Sequence, residues 1–173
     1  MKVAILIPPN DFKDESVSSS KAMLERWDVT PVITSYSNKD CVGQHGAVYK
    51  PDINTGRLNP DDFDAIIFID GNGVDSYKLY DFRPLLDTVK RFSDRKKPVC
   101  AIGNSVKIIA RANIIQNVKV AAPKDEETNR LVALYRGIKS ENAIESDKGI
   151  MTLNNSELVD DFVGLLLEKL GVK

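Results

Sequence analysis

Short apolar runs of strand length alternate along the chain with segments whose apolar residues recur at helical spacing. The runs near Val3–Ile7, Val29–Thr34, Ala65–Ile69, Val99–Ile102 and Val118–Ala121 are rich in Val and Ile and lack polar alternation, as strands covered on both faces are. The pattern predicts an α/β fold with a central, mostly parallel sheet and helices on both faces. All five runs are expected in that sheet.

The helical segments differ in clarity. Phe82, Leu85, Leu86, Val89 and Phe92 form one stripe on a helix that must end before Pro98. A first helix is expected over Ser16–Trp27, burying Val17, Met23, Leu24 and Trp27, despite the poor helix formers Ser18–Ser20. A last helix over Ser156–Leu170 turns Leu158, Phe162, Val163, Leu165 and Leu166 inward and stops at Gly171. Gly43–Asp52 reads as short β pieces, and Arg130–Leu153 as a β excursion with a turn at Asp147-Lys148-Gly149. No repeat or linker-like tract divides the chain, so a single domain over residues 1–173 is expected.

Composition narrows the function classes. The 173 residues are 42% hydrophobic and 28% charged, with a formal charge of −1, so no global field draws the chain to nucleic acid or an anionic membrane. The basic run Arg95-Lys96-Lys97 reads as a solvated turn. No stretch approaches the ~20 apolar residues of a membrane span, and the first apolar run is too short for a signal-peptide core. Two cysteines, Cys41 and Cys100, without Cys-x-x-Cys spacing, indicate neither a disulfide framework nor a zinc site. A cytoplasmic protein is the resulting expectation.

Ligands of open α/β sheets bind beyond the carboxyl ends of the strands at the switch point. Pro8–Ser16, Asp70–Val74 and Gly103–Val106 therefore matter most. Pro98–Ile102 runs through Gly103-Asn104-Ser105 directly into a helix, Val106–Ala112, which is the layout of a nucleophile elbow. Ala101-Ile102-Gly103-Asn104-Ser105-Val106 resembles the elbow of the ThiJ/PfpI superfamily, whose pattern is Ala/Ser-Ile-Cys-His/Ala-Gly-Pro. Gly43-Gln44-His45-Gly46 resembles that family's Gly-x-x-Gly hairpin, Leu58–Ala65 its approach to the third strand, and Ile69-Asp70-Gly71 its Pro-Gly-Gly. The resemblance spans Met1 to Leu170. It implies a flavodoxin-like three-layer sandwich of the class I glutamine amidotransferase type, and self-association into a homodimer or larger oligomer. Family members are described as proteases, deglycases or glyoxalases, and chaperones.

On this register the family cysteine falls on Gly103 and its following His or Ala on Asn104, which removes both the nucleophile and an adjacent base. The resemblance implies a positive φ at the elbow, which glycine adopts without the ~1–3 kcal/mol that another residue would meet. The turn can thus outlast its chemistry, with backbone N–H groups still facing an anion-accepting or polar pocket. Gly71 and Asn104 correspond to the two oxyanion donors. Asp70 replaces a family glycine and makes the place less welcoming to an oxyanion. The family's cleft carboxylate maps within Asp11–Ser16, with Glu15 the nearest candidate and Asp14 the next. Both suit the first turn of a helix equally well.

Other nucleophiles are poorly placed. Ser105 lies two residues past the apex, and Lys107 breaks the Gly-x-Ser-x-Gly pattern. Cys100 sits within a strand expected to be buried. His45, the only histidine, suits a structural or interface contact in its hairpin. No metal site and no cofactor are indicated: Gly-x-Gly-x-x-Gly and a phosphate loop are missing, and Pro8-Pro9 offers no N–H donors for a flavin phosphate. The expectation is a degenerate family member whose cleft around Glu15, Asp70, Gly71, Gly103, Asn104 and Ser105 binds a small molecule or serves as scaffold. A hydrolase or glyoxalase-like enzyme using Ser105, and an interaction module built on the two excursions, are the alternatives.

Overall fold

A computed structural model describes all 173 residues. In chain order the strands are β1 (Lys2–Leu6), β2 (Thr30–Ser35), β3 (Cys41–Val42), β4 (Val48–Tyr49), β5 (Ile53–Asn54), β6 (Ala65–Phe68), β7 (Val99–Ile102), β8 (Lys119–Ala121), β9 (Ile138–Ser140), β10 (Ile144–Asp147) and β11 (Ile150–Leu153). The helices are α1 (Asp14–Arg26), α2 (Asn72–Ser76), α3 (Arg83–Asp94), α4 (Val106–Arg111), α5 (Glu126–Leu134) and α6 (Val159–Lys169). Seven strands form the central sheet in the order β10-β11-β7-β6-β1-β2-β5, all parallel except β10.

The apolar runs become doubly covered strands because each turns alternate residues to opposite layers. Leu6, Phe68 and Ala101 face the layer of α3 and α4; Ile5, Ile67 and Cys100 face the layer that holds Leu24 of α1 and Phe162 of α6. The α3 stripe buries Leu85, Val89 and Phe92, with Pro84 in its first turn and Lys96 at φ 56° ending it. The basic run does form a turn, anchored by Arg95 on Asp61 and by Lys97 donating to the Pro60 carbonyl.

The fifth apolar run is not in the central sheet. Lys119–Ala121 pairs with Ile138–Ser140 in a separate parallel ribbon. The edge it would join is taken by β10, which folds back antiparallel on β11 through the Asp147-Lys148-Gly149 turn. The N–H groups of Lys119 and Ala121 instead reach side chains, Asp147 Oδ2 and Thr152 Oγ1, each at 2.8 Å. The start of the predicted β excursion is also helical, because Asp125 caps α5 by accepting from Thr128 N. Helix α1 begins at Asp14, two residues before the expected start, and α6 is preceded by a 3₁₀ turn at Ser156–Leu158. No helix is long and apolar enough to cross a membrane.

Chain order reverses across β1 and β6: β1 leads to β2 on one side, and β6 then returns to the other. The carboxyl ends of β1, β6 and β7 therefore open onto a common crevice.

Candidate ligand cleft

Strand β7 ends at Ile102, and Gly103 then turns the chain at φ 57° into a 3₁₀ turn and α4. This is the expected elbow, at the expected residue. A Cβ built on Gly103 would lie 3.0 Å from both Cβ and Oδ2 of Asp70, tighter than ordinary contact. The Asp70 side chain thus fills the room that a side chain at the apex would need.

Asp70 follows β6 and is 6% exposed. Ser16, in the first turn of α1, donates to its Oδ1 at 2.7 Å, and no side chain donates to Oδ2. Burial pushes the Asp70 carboxyl up, outweighing the Ser16 hydroxyl, the charge of Lys13 and its own backbone N–H; the charge of Glu15 adds to the rise. Next to it, Gly71 has φ 136°, and a Cβ there would meet the Asp11 carbonyl oxygen at 2.4 Å, so this tight passage requires glycine.

Asn104 clamps the Gly71 peptide from both sides. Its Oδ1 accepts the Gly71 N–H at 3.1 Å and its Nδ2 donates to the Gly71 carbonyl at 2.8 Å. The Gly71 N–H, one of the two expected oxyanion donors, is therefore already satisfied within the protein. In the same way, the Asn72 N–H donates to Gln44 Oε1 at 2.7 Å. Farther along α4, Lys107 is buried with its ammonium on Asp75 and within 3.5 Å of Glu127.

The cleft has a volume of about 380 Å³, and none of its 15 lining residues is hydrophobic. Asp70, Gly71, Gly103 and Asn104 meet there, as expected. Glu15 does not: it is an exposed first-turn residue of α1, and it reaches Asp70 only as a distant charge. Asp14 is committed elsewhere, accepting the N–H groups of His45 at 3.0 Å and Ala47 at 2.8 Å. Partial burial opposes its ionisation, but those two bonds hold its carboxyl below the usual range. His45 is exposed at the hairpin turn and outside the cleft.

Ser105 is also displaced from its expected role. Its hydroxyl is fully buried and donates to the Ile69 carbonyl at 2.6 Å, so it neither faces the cleft nor reaches a carboxylate. Cys100 points into the opposite layer, where burial pushes its thiol far up. Lys13 and Asn72 fall within the segments expected to matter but were not singled out, and sequence reasoning missed Gln44, Asp75 and Lys107, together with a far wall from Asp125, Glu127 and Asn154–Ser156. One signal was visible: Lys107 interrupts the apolar run Val106–Ala110, and a charge inside such a run needs a partner.

Comparison with known proteins bears on the family and the fold. The DJ-1/PfpI family pattern matches residues 1–169. An uncharacterised protein of Methanocaldococcus jannaschii is 31% identical over 155 residues, covering 89% of this chain and 72% of that one. The deglycase PfpI of Pyrococcus furiosus is 24% identical over 119 residues, covering 69% of this chain and 70% of its own. Among solved structures, a ThiJ/PfpI domain protein from Brachyspira murdochii superposes with a TM-score of 0.92 at 22% identity, covering 99% of this chain and 97% of that one.

Proposed function

The chain belongs to the DJ-1/PfpI family, and we propose that it is a member without covalent catalysis that uses the former reaction cleft to bind a small polar molecule. The observation that carries this reading is the pairing of Gly103 with Asp70. The apex holds no side chain, and the Asp70 carboxylate stands 3.0 Å from where its Cβ would be. The substitutes are unavailable for physical reasons: Ser105 is bonded to a carbonyl inside the protein, and Cys100 is enclosed between layers. The Gly71 N–H, which would steady a developing oxyanion, is held by Asn104. The open polar cleft favours ligand binding over the interaction-module reading, which calls for a closed one.

Self-association into a homodimer or larger oligomer is part of this proposal, resting on the family resemblance, and light scattering after gel filtration tests it. Catalysis is tested by incubating the purified chain with methylglyoxal and with a peptide amide, followed by intact mass after iodoacetamide under native conditions. The expected result is turnover at the buffer rate and no stoichiometric adduct. Turnover that disappears in Ser105→Ala or Asp70→Asn would overturn the reading.

A further inference from the structure

The donors and acceptors of the cleft are unevenly committed. Its backbone N–H groups at Gly71 and Asn72 are taken by Asn104 and Gln44, and its buried ammonium, Lys107, is taken by Asp75 and Glu127. Four carboxylates, Asp70, Asp75, Asp125 and Glu127, line it against two ammonium groups, Lys13 and Lys107. All four have partners: Asp75 and Glu127 hold the Lys107 ammonium, Asp125 accepts from the Thr128 hydroxyl and backbone N–H, and Asp70 accepts only the Ser16 hydroxyl among side chains. Asp70 takes part in none of the chain's ion pairs, is 94% removed from solvent, lines the cleft, and keeps Oδ2 free of any side-chain donor. A cationic donor on Oδ2 would offset the burial that works against the charged form of this carboxyl.

We infer that the cleft binds a small organic cation carrying a primary ammonium, which docks on Asp70 Oδ2 where that side chain and Gly103 line the cleft together. This rests on the reading that the cleft binds a small molecule, and it reverses the charge preference that an oxyanion-binding elbow would have. The polar far wall, Asn154, Asn155 and Ser156, suits hydroxyl or amide groups on the same molecule, and a volume of about 380 Å³ limits it to a small one. Lys13 is the intrachain competitor: it lines the cleft and its charge acts on Asp70, yet it forms no ion pair with it.

The test is titration of the ¹⁵N-labelled full chain with 1,4-diaminobutane, and separately with acetate and inorganic phosphate, following the Gly71, Gly103 and Asn104 amides. The expected result is saturable movement of these amides with the diamine alone, weakened at least about tenfold in Asp70→Asn. Asp70→Asn keeps the shape and the acceptor for Ser16, and Lys13→Met is expected to tighten binding. Anion binding that ignores Asp70→Asn would overturn the cation assignment while leaving a ligand cleft in place. Unmoved amides at saturating diamine would overturn it too. Neither result bears on covalent catalysis, which the turnover assay decides.

Discussion

Asp70 and Lys107 are two buried charges on the walls of one cleft, and the chain treats them in opposite ways. The Lys107 side chain is 1% exposed, but two carboxylates surround its ammonium and the Tyr80 ring lies 4.8 Å from it. Burial works against its charged form, and the hydrogen bond and charge of Asp75, with Glu127, more than offset this and raise its pKa. Asp70 is nearly as buried, yet the Ser16 hydroxyl, its own backbone N–H and the charge of Lys13 are its only support, and burial prevails. The contrast separates a charge that holds the structure together from one left open to an outside partner. Lys107 ties α4 to α2 and α5, whereas Asp70 ties its own segment only to Ser16.

The largest expected effect follows from breaking the satisfied pair. Lys107→Ala should lower stability by about 2–3 kcal/mol, below the range for a fully buried pair because Asp75 and Glu127 are about half exposed and water can take over their solvation. For a chain of this length that is a fall in Tm of roughly 5–10 °C. Lys107→Met, which loses the same pair but keeps the buried stem, should cost about 1 kcal/mol in the same thermal melts. Equal losses in the two variants would mean that charge rather than packing carries the site.

Next in size is the attempt to return a thiol to the elbow. Gly103→Cys places a non-glycine residue at φ 57° and brings its Cβ to 3.0 Å from Asp70, so a loss of about 2 kcal/mol is expected. Asp70→Gly in the same chain should recover part of that loss, because it removes the contact but not the strain. A double variant no more stable than Gly103→Cys would show that the two positions are not coupled. Titration of the new thiol sharpens the point, since Glu15 lies outside the cleft and cannot tune it.

These residues also show what the sequence could and could not reveal. The strand–Gly–helix layout at Gly103 was legible because local spacing determines it. Position 70 was legible as a carboxylate beside the cleft, but its hydrogen bond from Ser16 spans 54 residues and comes from packing α1 against the end of β6. Glu15 misled because a helical turn decides its direction. Asp14, Glu15 and Ser16 point three ways, and only Ser16 points to Asp70. The strand at Lys119–Ala121 failed for a related reason: local pattern makes it a strand, while the hairpin β10–β11 decides which edge is free to take it.

The smallest effect is the most direct check on Asp70. Because burial raises its folded-state pKa above the ~3.9 of an unfolded chain, its favourable contribution is fully present below the unfolded value and is lost as pH rises through the folded one. Asp70→Asn keeps the neutral shape at every pH. It should therefore match the unsubstituted chain near pH 4 and melt at a higher temperature than it near pH 7. Lys13 pulls toward the charged form, and Glu15 pushes against it, so Lys13→Met should widen the gap at pH 7 and Glu15→Gln should narrow it. A variant less stable than the parent at pH 7 would mean that Asp70 already has a cationic partner within the chain, and the contrast with Lys107 would fail.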